Sequence, residues 1–257
     1  AYCITYFNQL LFRRVFISQF FMKKKNDESK DVGDRLDAVL NNILPASIVE
    51  ELSKKFLDFD ETASESSKSS GGHPNTLHMN YDSATIMFVK ILNFSELTGP
   101  LNATEIVQVL TEVYMEIDKV VESMGLYRIK IIQNNYLAVS GVPDKNEKHL
   151  EKAMKAASSI LKVVEQKKIS VLGRSVDLSI GVSQGPVVAG VIGITSYCYD
   201  IYGSAVNFAS RMCSTNTLPN SIQISEEVYK KLDSVFLNHH ECGDSPIEVS
   251  AKGIGSV

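Results

Sequence analysis

The chain has 257 residues, of which 44% are hydrophobic, enough for one large domain with additions. Its 26 basic and 30 acidic residues leave a formal net charge of -4, which excludes the strongly basic surface of a nucleic-acid binder. Four cysteines (Cys3, Cys198, Cys213 and Cys242) show no paired spacing, a usage that suits a reducing compartment better than a disulfide scaffold.

The chain begins at Ala1 rather than Met and ends in what reads as an unfinished strand, so it is expected to be a piece of a longer polypeptide. Residues 1–22 are aromatic and apolar but carry Arg13 and Arg14, and Lys23, Lys24 and Lys25 follow. The uninterrupted apolar run is too short to span a bilayer, while the basic cluster fits the cytoplasmic exit of a membrane helix. Segment 1–25 is therefore expected to be membrane-proximal, the alternative being an amphipathic helix packed on the domain. Segment 26–56 reads as connecting helices. Leu36, Val39, Leu40 and Ile43 repeat at helical spacing, Pro45 breaks the run, and Ser47 with Glu50 has the spacing of a capping box for the next helix. Segment 57–80 turns polar and rich in Ser and Gly, a composition that buries no core and predicts a mobile loop.

Ser83–Leu92 is apolar and strand-favouring. A helix begins at Asn102, with Glu105 at capping-box spacing, carries a buried stripe from Ile106 to Met124, and ends at Gly125. Strands are predicted at Tyr127–Ile132 and Tyr136–Ser140, as a hairpin, then a helix from about Lys148 to Gln166 and a strand over Val176–Val182. After Gly185 comes a glycine-spaced turn, a short aromatic strand from Tyr197 to Tyr202, and a helix from Ser204. Ser221–Ile224 reads as strand, Glu226–Leu232 as helix and Pro246–Ala251 as strand. This β–α–β–β–α–β order with extra strands is the ferredoxin-like pattern of an α+β domain, here over residues 81–257. His239, His240 and Cys242 lie close together, but no second cluster completes a zinc site, and they read as surface residues.

Within Gly185–Arg211, Asn207 and Arg211 stand four residues apart, on one face if the segment is helical. An amide and a guanidinium aimed at one spot suit a phosphorylated ligand, because Arg offers a fixed fork of donors to phosphate oxygens. Asp200, at the end of the preceding strand, is expected to face the same crevice. Taken singly, Asp200 reads as an ordinary turn residue.

The runs GPVVAGVIG (185–193) and YDIYGSAVNFASRM (199–212) resemble the class III nucleotidyl cyclases, the adenylyl and guanylyl cyclases, and the resemblance extends from about Tyr81 to Val257 with a lead-in from Leu36. In that family a helix ending in a run similar to residues 42–45 connects a membrane or sensor part to the catalytic domain. The family reaction is attack of the ribose 3′ hydroxyl on the α-phosphate of a nucleoside triphosphate, with two divalent ions held by two aspartates at a dimer interface. The resemblance implies that Lys130 and Asp200 read the base, that Asn207 orients the ribose, that Arg211 stabilises charge on the α-phosphate, and that Lys252 grips the terminal phosphates. The two aspartate positions hold Lys90 and Asn134, so no metal site is expected in this half. Lys and Asp suit the ring-nitrogen acceptor and the exocyclic amine donor of adenine, which points to ATP. The glycines of 185–193 are expected to allow close packing at the dimer interface rather than to bind phosphate.

The sequence reading is thus the purine-binding half of an adenylyl cyclase. It makes cyclic AMP only when paired with a complementary half, on the same chain or another, that holds two Mg²⁺ or Mn²⁺ ions. The alternatives are a catalytically inactive regulatory domain and a purely structural dimerisation domain. The resemblance further implies placement at the cytoplasmic face of a membrane and, for membrane-bound members, G-protein subunits as regulators.

Overall fold

The computed structural model describes Pro45, Ile48, Glu50 and residues 78–193, 198–232, 250–251 and 255–256. The chain divides into two compact units, Ala1–Lys68 and Ser69–Val257. In the first, the Ile48 amide donates to the Pro45 carbonyl at 2.9 Å, and Ile48 and Glu50 are helical, in the segment where the next helix was expected. The segment expected to be membrane-proximal, the helix expected at Leu36–Ile43, the polar residues 57–77 and the His239–Cys242 cluster lie outside the described residues.

The second unit is built on two long strands, β1 (His78–Ile91) and β4 (Leu178–Ile192), paired antiparallel. Between them in sequence come α1 (Phe94–Thr98), α2 (Ala103–Ser123), β2 (Tyr127–Ile132), β3 (Asn135–Ser140) and α3 (His149–Gln166). After β4 follow β5 (Cys198–Tyr202), α4 (Ser204–Thr215), β6 (Ser221–Ile224), α5 (Glu226–Lys231), β7 (Ser250–Ala251) and β8 (Gly255–Ser256). The main sheet has the order β2-β3-β1-β4-β5, and β6 joins parallel to the first half of β4. This is the α+β arrangement that the element order predicts.

Local chemistry accounts for both ends of α2. Asn102 accepts from the Glu105 amide at 3.0 Å while the Glu105 carboxylate accepts from the Asn102 amide at 2.9 Å, closing the capping box of α2. Gly125, at φ 69°, ends that helix where a side chain would be strained. Strand residues alternate between two layers. Met87, Val89 and Ile91 of β1 and Ile180 and Val182 of β4 face one way, into the core shared with Val113 and Ile117 of α2 and Ala157 and Ile160 of α3. Gly181, between Ile180 and Val182, faces the other way and receives α4.

Three segments differ from expectation. β1 begins at His78, so the last residues of the polar stretch are strand rather than loop, because His78–Tyr81 pair with Val187–Gly190 of β4. The short helix α1 has no periodic apolar pattern and was not expected. Residues 185–192 are not a turn: they continue β4 for its full 15 residues, paired first with β1 and then with β5.

Candidate active site

β2 and β5 stand at opposite ends of the strand path, yet they meet. A register shift between Arg128 and Lys130 and another between Tyr81 and Ala84 kink β2 and β1, and such bulges raise local twist. The curled sheet brings Tyr127 of β2 edge-on to Tyr199 of β5, with ring centroids 5.7 Å apart. Beside this contact Lys130 Nζ donates to Asp200 Oδ2 at 2.5 Å, across 70 residues of sequence. Asp200 also accepts from the Ile201 amide at 2.9 Å and from the Tyr202 hydroxyl at 3.2 Å. The Asp200 side chain is 11% exposed and that of Lys130 is 37% exposed. Solvent at the lysine limits what the pair adds to folding to about 1 kcal/mol or less. Partial desolvation, and then the neighbouring Asp200 carboxylate, raise the Tyr202 pKa, so the phenol stays a donor at neutral pH.

Asp200 lies in the middle of β5, opposite Gly190 of β4, rather than at the strand end where the sequence suggested it. α4 follows after one residue. Ala205, Ala209, Met212 and Cys213 form its buried face. Asn207 is exposed and Arg211 half-buried on another stripe, four residues apart as predicted. Among the described residues neither makes a side-chain hydrogen bond or ion pair, so both donor sets are available to a ligand. The structure therefore joins Lys130 to Asp200 and, among the described residues, leaves Asn207 and Arg211 uncommitted on the helix that follows. Lys252 lies outside the described residues, between β7 and β8.

The two positions that the resemblance aligns with metal-binding aspartates do not fit a metal ion. Lys90 sits on β1, half-buried, between Asn135 of β3 and Ser179 of β4. An ammonium repels a cation. Asn134 closes the β2–β3 turn, and its side-chain amide donates to the Ile91 carbonyl at 2.9 Å while the Ile91 amide donates to the Asn134 carbonyl at 3.1 Å. Among the described residues no group of three or more His, Cys, Asp or Glu side chains could hold a metal ion.

Sequence reasoning missed Tyr202, whose place two residues after Asp200 in a strand was the available signal. It also missed how α4 is seated. A Cβ on Gly181 would lie 2.1 Å from the Cys213 nitrogen and 2.5 Å from the Ala209 carbonyl oxygen. A Cβ on Gly185 would meet the Ala205 methyl at 3.0 Å, so this glycine, expected to serve packing between chains, serves packing within one.

Residues 77–255 match the family described as "Adenylate and Guanylate cyclase catalytic domain". An adenylate cyclase of Mycobacterium bovis is 34% identical over 221 residues, covering 86% of this chain and 45% of the relative. Receptor-type guanylate cyclase gcy-5 of Caenorhabditis elegans is 32% identical over 177 residues, covering 68% of this chain and 16% of the relative. The chain thus spans less than half the length of these curated relatives. Among solved structures, the catalytic core of a rhodopsin-guanylyl cyclase with converted specificity, in complex with ATPalphaS, superposes with a TM-score of 0.63 at 30% identity, covering 70% of this chain and 94% of that one. The guanylate cyclase domain of RhGC from Catenaria anguillulae, in complex with GTP, gives 0.63 at 28% identity, covering 69% and 94%.

Proposed function

This chain belongs to the adenylate and guanylate cyclase catalytic-domain family, and from that premise we propose that it is the purine-binding half of an adenylyl cyclase site. The observation that carries the proposal is an asymmetry. Lys130 and Asp200 are joined at one crevice with uncommitted Asn207 and Arg211 on the next helix, while the metal positions hold an ammonium and an amide.

Relatives act on either purine, and similar structures hold ATPalphaS or GTP, so the base must be argued from this crevice. Lys130 donates and suits the N1 acceptor of adenine. Asp200 accepts and suits its exocyclic amine. Guanine presents N1–H and a carbonyl in those places, putting donor against donor and acceptor against acceptor. Because Lys130 and Asp200 satisfy each other in the free chain, adenine enters by replacing part of that pairing. In the proposed reaction Asn207 orients the ribose so that its 3′ oxygen faces the α-phosphate. Arg211 stabilises the charge that develops there as pyrophosphate leaves, an electrostatic role worth about 3 kcal/mol in comparable sites. Lys252 would grip the terminal phosphates. The two divalent ions, Mg²⁺ or Mn²⁺, belong to a complementary half, on the same chain or another.

The aromatic segment 1–22 and the basic run after it support a location at the cytoplasmic face of a membrane. Among the described residues no helix is long and apolar enough to cross one. Regulation by G-protein subunits belongs to the same proposal through the membrane-bound members that the chain resembles. The replaced metal positions equally favour a second reading, a regulatory half that controls an active partner without lending it catalytic groups.

The test is cyclic nucleotide production from ATP and GTP with Mn²⁺, for the chain alone and mixed with a half that bears both aspartates. Cyclic AMP only in the mixture, lost with Arg211→Ala, is the expected result. Activity in the mixture that survives Arg211→Ala selects the regulatory reading, and activity of the chain alone overturns the half-site proposal.

A further inference from the structure

The metal positions are not simply stripped of ligands; they are rebuilt. A carboxylate at position 134 would set an acceptor against the Ile91 carbonyl, an arrangement that needs a cation between the two. The Asn134 amide removes that need by donating to the same carbonyl at 2.9 Å. The turn that presents it is held from beneath, where the Tyr114 hydroxyl donates to the Gln133 carbonyl at 3.2 Å. One residue before Ile91, Lys90 adds a positive charge.

That charge faces the layer opposite the α2–α3 core. Strand register puts Lys90 in a row with Asn135 and Ile132, and Lys130 in the next row with Leu137 and Phe88. α4 covers this face where it crosses Gly181. Toward β2 the face opens, and Ile132 is 49% exposed. The neighbours of Lys90 give it no counter-charge. Ser179 spends its hydroxyl on the Cys213 and Asn216 carbonyls, and Asn135 donates to Asn134. Lys130 has Asp200; Lys90 has no ion pair among the described residues.

We propose that the open sheet face at Lys90 and Asn134 is a phosphate-chain site that takes a polyphosphate or the triphosphate of a nucleotide with no divalent ion, the lysine standing where the family places metal. The inference rests on the family assignment of these two positions but not on the pairing with a metal-bearing half. An ammonium carried by a central strand and facing a partly covered surface offers an anion a charge-assisted hydrogen bond that needs no ion to bridge it.

The experiment is calorimetric titration of the 257-residue chain with inorganic tripolyphosphate, and separately with an unreactive ATP analogue, in excess EDTA. Tripolyphosphate is expected to bind, to weaken about tenfold or more in Lys90→Met, and to be largely kept in Lys90→Arg. Lys90-dependent binding of the analogue without binding of tripolyphosphate would identify a nucleotide as the occupant and also support the site. The double variant Lys90→Asp with Asn134→Asp is expected to lose chelator-resistant binding and to gain Mn²⁺ binding, read by the paramagnetic resonance of bound Mn²⁺. Equal binding by wild type and Lys90→Met, binding that requires a divalent ion, or no binding by the wild type would each overturn the proposal. Since these readouts use neither a partner half nor turnover, their failure is separate from failure of the cyclic AMP assay.

Discussion

Asp200 accepts from Lys130, from the Ile201 amide and from Tyr202, so its carboxylate is oriented before any base arrives. Pre-orientation matters more here than the modest net strength of the ion pair. In the mixed assay, Asp200→Ala is expected to lower kcat/KM for ATP by about tenfold to a hundredfold, because a donor on the base and another on Lys130 lose their acceptor. A fall of less than twofold would remove Asp200 from base recognition. A second residue-scale prediction concerns His149, which is buried with its Nδ1 2.7 Å from the Thr85 hydroxyl. Burial, and then the charge of Lys231, hold its pKa below the ordinary value. The unfolded chain therefore takes up this proton first as pH falls. The stability contribution is full above about pH 6.5 and is lost on acidification from there toward the lower folded value. Denaturant melts from pH 7.5 to 5 are expected to show this decline and to show less of it in His149→Gln.

At the scale of elements, the seating of α4 on β4 fixes the distance from the sheet to Asn207 and Arg211. Gly181→Ala would drive a methyl into the α4 backbone, where nothing flexible can give way, and is expected to cost about 3 kcal/mol or more, read as a shift of the urea midpoint. Asn102→Ala opens the α2 capping box far from the crevice and is expected to cost about 1 kcal/mol while leaving base preference unchanged. Hairpins and caps were legible because their signals are local. The limits Tyr127–Ile132 and Ser221–Ile224 coincide with expectation, and the Asn102–Glu105 spacing became a closed box. The course of residues 185–192 was misread because glycine and small residues signal a turn only when nothing pairs with them. Here β1 and β5 supply the pairing from both sides.

For the whole molecule, β1 and β4 are the frame on which the other strands of the main sheet are laid, and amide exchange is expected to be slowest in Ile86–Ile91 and Leu178–Val182, whose strands are paired on both sides. Faster exchange there than in β5 would contradict a single frame. The sequence by itself determined the α+β element order, the family, the helical stripe bearing Asn207 and Arg211, and a lysine and an asparagine at positions 90 and 134. Each of these is written in residue type and short spacing, which fix periodicity, capping and charge. Tertiary structure alone decided that Lys130 and Asp200, 70 residues apart and at opposite ends of the strand path, would pair directly with each other, and that Asn134 would turn its amide onto the Ile91 carbonyl. The Lys130–Asp200 contact depends on how far two bulged strands curl a six-stranded sheet, a sum of small twists that no single residue encodes, and the Asn134 contact on the pairing of β3 with β1.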